Sequence, residues 1–122
     1  MLKRRYVNKK KPRGKYWKLQ RALAIERANG KCECCLLEKA TDADHLFAEA
    51  WLRKFVPKAD PHNLVNLLAI CKKNGCHGRK TGADRKLWRA DLLGFLQACN
   101  AIPVPMNRLE EAMTFYQIRR PR

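Results

Sequence analysis

The sequence predicts a small α+β protein with one core, and three observations carry that expectation. The chain is 122 residues long, the size of a single domain that buries enough surface to fold with little stability to spare. Apolar residues recur at helical spacing near both ends, from Tyr16 to Ala28 and again from Asp84 onwards. Between these segments, residues 32–81 hold all three histidines and five of the six cysteines, a density of reactive side chains that packing alone does not need.

Taken in order, residues 1–14 carry Lys3, Arg4, Arg5, Lys9, Lys10, Lys11 and Arg13 beside Pro12 and Gly14. Such a segment cannot bury apolar area, so it reads as a flexible basic arm ahead of one domain at 15–122. In the first helix, Tyr16, Leu19, Leu23 and Ile25 offer an apolar stripe and Lys18, Arg21 and Arg27 a polar face, with Asn29-Gly30 as the stop. The reactive centre follows at 30–82. Within it, Trp51, Leu52 and Phe55 suggest a short amphipathic helix whose rings pack, or alternatively stack on bases. A helix is expected over 84–99 through Leu87, Trp88, Leu92, Phe95 and Leu96, after which Pro103 and Pro105 break the chain. The last helix, 107–118, should open on Asn107 as cap, with Glu110 completing a capping box. Both of these helices are expected to cover the core.

Charge narrows the partner. With 27 Lys+Arg against 11 Asp+Glu the formal charge is +16, and a compact fold tolerates that self-repulsion best beside an anion such as nucleic acid. No apolar run is long enough for a membrane span or the core of a signal peptide. A cytoplasmic, reducing compartment is therefore expected, where closely spaced cysteines read as metal ligands and not as disulfides.

Cys32-x2-Cys35 is answered by Cys71-x4-Cys76. Zinc takes about four ligands in a tetrahedron, and two tight pairs far apart in sequence can close that shell. Cys32, Cys35, Cys71 and Cys76 are thus the expected structural zinc ligands, with Gly75 accommodating the longer spacer. Substitution of Cys34 for a neighbour, or of His77 for Cys76, stays open; Cys34 and Cys99 otherwise read as structural. A closed site of this kind staples a fold and does not catalyse.

Candidates for chemistry lie between the halves of the staple. Hydrolysis of a phosphodiester needs a base for water, a cation for the departing oxygen and positive side chains for the phosphate. His45 has the intrinsic pKa of a base, Asp44, Asn66 and His77 offer oxygen and nitrogen ligands for a divalent metal, and Arg79 and Lys80 can grip phosphate. His62, in a proline-containing stretch, is expected to be exposed and outside the site.

In that order, Cys32-x2-Cys35, Asp44-His45, Asn66-Leu67-x-x-Ile70-Cys71 and Cys76-His77-x-x-Lys80-Thr81 resemble the HNH endonuclease family of the ββα-metal type, in particular its compact bacteriophage members. The likeness covers about residues 16–81. It implies a zinc-stapled β-hairpin followed by a helix, with His45 as the base and Asp44 and His77 as ligands of a single Mg²⁺, Mn²⁺ or similar ion. Asn66 would orient the loop around the base or add a ligand. Asn63 also resembles the middle residue, and spacing to Cys71 favours Asn66. The proline that often follows the family's first His is missing from His45-Leu46-Phe47-Ala48.

What the resemblance implies further is cleavage of DNA, with double-stranded DNA the expected substrate, to 5′-phosphate and 3′-hydroxyl ends, in a bacterial host if the chain is phage-encoded. No clear dimer surface shows in the sequence, so a monomer is favoured, and oligomeric state and partner proteins such as phage packaging proteins stay open. Arg79, Lys80 and the arm residues Lys3, Arg4, Arg5, Lys9, Lys10 and Lys11 would meet the nucleic acid. A zinc-stapled DNA- or RNA-binding module without catalysis accounts equally for charge and cysteines, and a ribosomal-type RNA-binding protein accounts for the arm.

Overall fold

A computed structural model of the protein describes residues 14–87, 91–101 and 104–119. Residues 1–13 of the basic arm, with Lys3, Arg4, Arg5, Lys9, Lys10 and Lys11, lie outside the described residues, and Gly14, expected to close the arm, instead opens the first helix. The order of elements is α1 (Gly14–Arg27), β1 (Asp42–His45), α2 (Glu49–Phe55), a 3-10 turn (Leu64–Asn66), β2 (Leu67–Ile70), α3 (Cys76–Leu87), α4 (Leu92–Ala101) and α5 (Met106–Tyr116). The fold is a small α+β one, a two-stranded hairpin packed against α1 beside a four-cysteine cluster. No helix among the described residues is long and apolar enough to cross a membrane.

The hairpin is antiparallel, with Asp42 opposite Ile70 and His45 opposite Leu67. Strand side chains alternate between faces, so Asp42, Asp44, Leu68 and Ile70 share one face and Ala43, His45, Leu67 and Ala69 the other. All four residues of β2 are buried, which a strand permits only when both faces are covered. Leu68 and Ile70 join the main core of Phe47, Trp51, Leu52, Phe95, Leu109 and Met113. Leu67 and Ala43 meet Ala24 of α1, with Trp17 against them.

That second contact corrects the expected stripe on α1. Tyr16 and Leu19 are exposed, and the helix instead turns Trp17, Gln20 and Ala24 to the protein. Ala24, fully buried, has no bulk to hold the backbones apart, so α1 approaches the strands closely. Polar side chains complete the seam: Arg21 donates to Asp42 and the Thr41 carbonyl, and Arg27 to Glu33 and to the carbonyls of Leu64 and Leu67.

The helix expected over 84–99 is two elements. Asp84 belongs to α3, which starts at Cys76, and Leu92 begins α4 after residues that are not described. Phe95 and Cys99 of α4 are buried, as a covering helix requires, while Trp88 of the expected stripe lies outside the described residues. The last helix begins at Met106, one residue earlier than expected, behind Pro105 as an N-cap that makes no side-chain hydrogen bond, so the Asn107 capping box does not form. Pro105 sets the entry in its place through its restricted backbone. Trp51 and Leu52 of α2 are buried, and Trp51 stacks on Phe47 and packs against Phe95, which favours packing over stacking on bases.

The connection from β1 to β2 carries Asp60 and His62, and its position is set from both ends of the chain. The Tyr16 hydroxyl donates to the Asp60 carboxylate at 2.6 Å and the Tyr116 hydroxyl to the Asp60 carbonyl at 2.7 Å. Gln20 donates to the His62 carbonyl at 3.2 Å.

Lys80 departs from its expected role. Its side chain is 2% exposed, and Nζ donates to both carboxylate oxygens of Asp84 at 2.7 and 2.8 Å. A cation so enclosed neutralises Asp84 and does not reach a phosphate. Removing one partner of a buried pair strands the other charge, at a cost of about 3–5 kcal/mol. Asp84→Asn should therefore lower the unfolding free energy of the zinc-loaded protein by an amount of that order in a urea titration. Adding Lys80→Met should recover most of the loss.

Candidate metal centres around the hairpin end

The first centre is built from two turns. A Lys31–Lys39 bridge closes the loop that holds Cys32 and Cys35, with the Cys32 N–H donating to the Glu38 carbonyl at 2.8 Å and Leu36 in the left-handed region at φ 61°. Cys71 directly follows β2, the chain turns at Gly75 with φ 76°, and Cys76 opens α3. A glycine suits that turn, since a side chain would be strained there and a Cβ would sit 3.1 Å from Arg79.

The sulfurs of Cys32, Cys35, Cys71 and Cys76 lie within 4.8 Å of one another. Bonds of about 2.3 Å from a tetrahedral zinc place sulfurs about 3.8 Å apart, and the Cys35 and Cys71 sulfurs are 3.8 Å apart. The donor set thus fits a structural zinc. Backbone hydrogen bonds from Glu38 and Leu37 lower the Cys35 thiol to about 6, which favours the thiolate a metal needs. The Cys35 N–H also approaches the Cys32 sulfur, and the Arg79 guanidinium sits 3.4 Å from the Cys76 sulfur. Arg79 is exposed, though tied here and to the Asn74 carbonyl. Cys34 and Cys99 stay out of the cluster, and burial pushes their thiols up to about 12 and about 11.

Glu33, inside the first turn, escaped the sequence reading. Its carboxylate accepts from Arg27 at 2.8 Å, Arg108 at 2.8 Å and the Ala69 N–H at 2.9 Å. Burial pushes its carboxyl up, but those three donors outweigh burial and hold it below the ordinary value. It fastens the cysteine turn to α1, β2 and α5 at once.

The cluster also places the histidines. The His77 N–H donates to the Cys71 carbonyl at 2.9 Å, and its Nε2 lies 4.0 Å from Asp44 Oδ2. Asp44 Oδ1 accepts from the His45 N–H at 2.8 Å, while Oδ2 is buried and accepts no hydrogen bond among the described residues. A buried carboxylate oxygen normally has a partner. The fold therefore brings Asp44 and His77 side by side, with that oxygen 4.0 Å from the imidazole nitrogen.

His45, 8% exposed, leaves the opposite face of β1, stacked on Trp17 with ring centres 5.4 Å apart. Its Nε2 is 3.0 Å from His62 Nδ1. His62 is therefore the partner of His45, correcting the expectation that it lies outside the site and exposed. The sequence hid this because the contact spans the whole connection between the strands. Glu49 completes a group of three, with ligand atoms within 4.8 Å; because His45 ends a strand and Glu49 opens a helix, no local periodicity signals their meeting.

Asn66 is fully buried. Its side-chain oxygen accepts from the Phe47 N–H at 2.8 Å, and its nitrogen donates to the carbonyls of Phe47 and Pro61, both at 3.0 Å. The amide is thus committed to backbone. It holds the chain just after His45 against the chain just before His62, in an orienting place and not a ligand's. Asn63 instead caps the 3-10 turn by accepting from the Val65 N–H.

Compared with protein-family models, with curated proteins and with solved structures, the chain matches none, so function is read from its own geometry.

After dialysis against a weak chelator the chain should retain about one zinc, as structural thiolate sites do. Metal analysis should find it lost in Cys35→Ser and kept in Cys34→Ser. Asn66→Ala leaves both polar groups of Phe47 unpaired, at about 1–3 kcal/mol each. Asn63→Ala removes only a turn cap, worth about 1 kcal/mol. Urea unfolding should rank the two accordingly.

Proposed function

We propose that the protein is a metal-dependent endonuclease that hydrolyses phosphodiester bonds in DNA, with His45 as the base. The observation that carries this reading is the end of β1. There a buried, unpartnered Asp44 oxygen lies 4.0 Å from His77, and the next residue is a buried histidine held by a stacked ring. The motif order that resembles the HNH nucleases supports it, as does a formal charge of +16.

Each residue has a separable task. His45 accepts the proton of the attacking water; Trp17 and His62 hold its ring in one orientation, and Asn66 fixes the backbone that follows it. Asp44 and His77 would hold a divalent ion, which supplies positive charge to the phosphate and the departing 3′ oxygen when bound. The zinc staple sets His77 through Cys76, its neighbour in sequence. Because Lys80 is buried, positive contacts to the DNA backbone fall to exposed Arg79, Arg85 and Lys86 and to the arm. Such contacts position DNA without reading its sequence, and cleavage in this scheme leaves 5′-phosphate and 3′-hydroxyl ends.

Conversion of supercoiled plasmid to nicked or linear form in Mg²⁺ or Mn²⁺ tests the reading. His45→Ala should keep zinc and DNA binding while cleavage falls by about 10²–10⁴, the usual contribution of a general base. His77→Ala should recover part of its activity as Mg²⁺ or Mn²⁺ is raised; His45→Ala should not. Equal cleavage by wild type and His45→Ala would overturn the assignment.

A further inference from the structure

The ring nitrogens of His45 and His62 face one another at 3.0 Å, with a Glu49 carboxylate oxygen in the same group. Two imidazole nitrogens this close either share a proton or turn both lone pairs on one ion. Bonds of about 2.0–2.1 Å to a tetrahedral zinc would separate them by about 3.3 Å, so a few tenths of an ångström convert the first state to the second. The site is also built: Trp17 stacks on His45 and meets His62 edge-on at 5.5 Å, and Arg53 holds one oxygen of Glu49.

We infer that His45, Glu49 and His62 form a second transition-metal site, distinct from the cysteine cluster and from Asp44–His77, whose occupant withdraws His45 from proton transfer. Two imidazoles and one carboxylate suit Zn²⁺, Co²⁺ or Ni²⁺, whereas Mg²⁺ favours a shell made mostly of oxygen, which a single histidine beside a carboxylate, phosphate and water leaves it and two histidines do not. Three protein ligands leave a fourth position for water. Binding follows from the donor geometry alone; the inhibition rests on the function proposed above. The protein would then cut in Mg²⁺ and be silenced by a transition metal at the same histidine that serves as base.

The test titrates Co²⁺ into the full-length, zinc-loaded chain and reads bound metal together with the visible absorption spectrum. Wild type should take up cobalt with ligand-field bands and no thiolate-to-cobalt charge transfer, a spectrum that separates this site from the cysteines. Glu49→Gln and His62→Ala should each weaken that uptake at least about tenfold, since even outer-shell partners of a metal are worth that much. Asp44→Asn should lose at most the cobalt held at Asp44 and His77, and should keep the uptake that depends on Glu49 and His62. Uptake unchanged in both Glu49→Gln and His62→Ala, or accompanied only by charge-transfer bands, overturns the site. In parallel, Co²⁺ added to a Mg²⁺ nicking reaction should inhibit wild type, and inhibition of Glu49→Gln relative to the same variant without cobalt should require at least about tenfold more metal. Full nicking at cobalt concentrations that saturate the spectrum overturns the inhibitory role. Absence of nicking under every condition would sink the nuclease reading and leave the cobalt titration to decide the site.

Discussion

Convergence of four cysteine sulfurs on one point is the constraint on which the rest depends. It joins a turn before β1 to the junction of β2 and α3, segments that also meet through the four-residue ladder and the hydrogen bonds between Glu33 and Ala69. A two-stranded hairpin is marginal by itself in water. Here it is held by the cluster at one end, α1 on one face and the aromatic core on the other. Glu33 extends the same turn into three further elements by its hydrogen bonds, so the metal-binding turn and the helix framework are one mechanical unit. Its carboxylate tolerates burial because two guanidinium groups and an N–H replace the water it loses.

The polar groups at the end of β1 follow a different logic. Most buried polar side chains here are satisfied in full: Asn66 by three backbone bonds, Lys80 by both oxygens of Asp84. Against that background the exceptions carry information. Asp44 keeps an oxygen without a donor, and His45 faces another imidazole. Among the described residues the other buried side-chain atom without a hydrogen bond is Arg27 Nε, in the seam between α1 and the strands, so the Asp44 oxygen draws its meaning from the His77 nitrogen beside it and not from the missing donor alone.

The sequence was most legible where chemistry is dictated by local spacing. Two cysteine pairs predict their own cluster because tetrahedral thiolate geometry tolerates few arrangements, and Gly75 supplies the turn the longer spacer requires. The adjacency of Asp44 with His45, and of Cys76 with His77, likewise transfers directly to the fold. What the sequence obscured were contacts decided by tertiary packing. A lysine in a basic motif reads as a phosphate contact until an aspartate one turn later is seen to bury with it. Apolar spacing in α1 selects Leu19, whereas the hairpin selects Ala24, since close approach matters more there than side-chain area. His62 has no local feature to link it with His45; Tyr16, Gln20 and Tyr116 bring it there from elements remote in the chain.

Those three contacts bear on how the molecule comes together. They close over separations of 44, 42 and 56 residues, so each must overcome the loop entropy of a large part of the chain before it is rewarded. The cysteine turn, the 3-10 cap and the helices need only near neighbours. Pairing of the two imidazoles thus rests on a segment held down by elements from both ends of the fold, and release of those contacts would loosen it while leaving the cysteine turns intact.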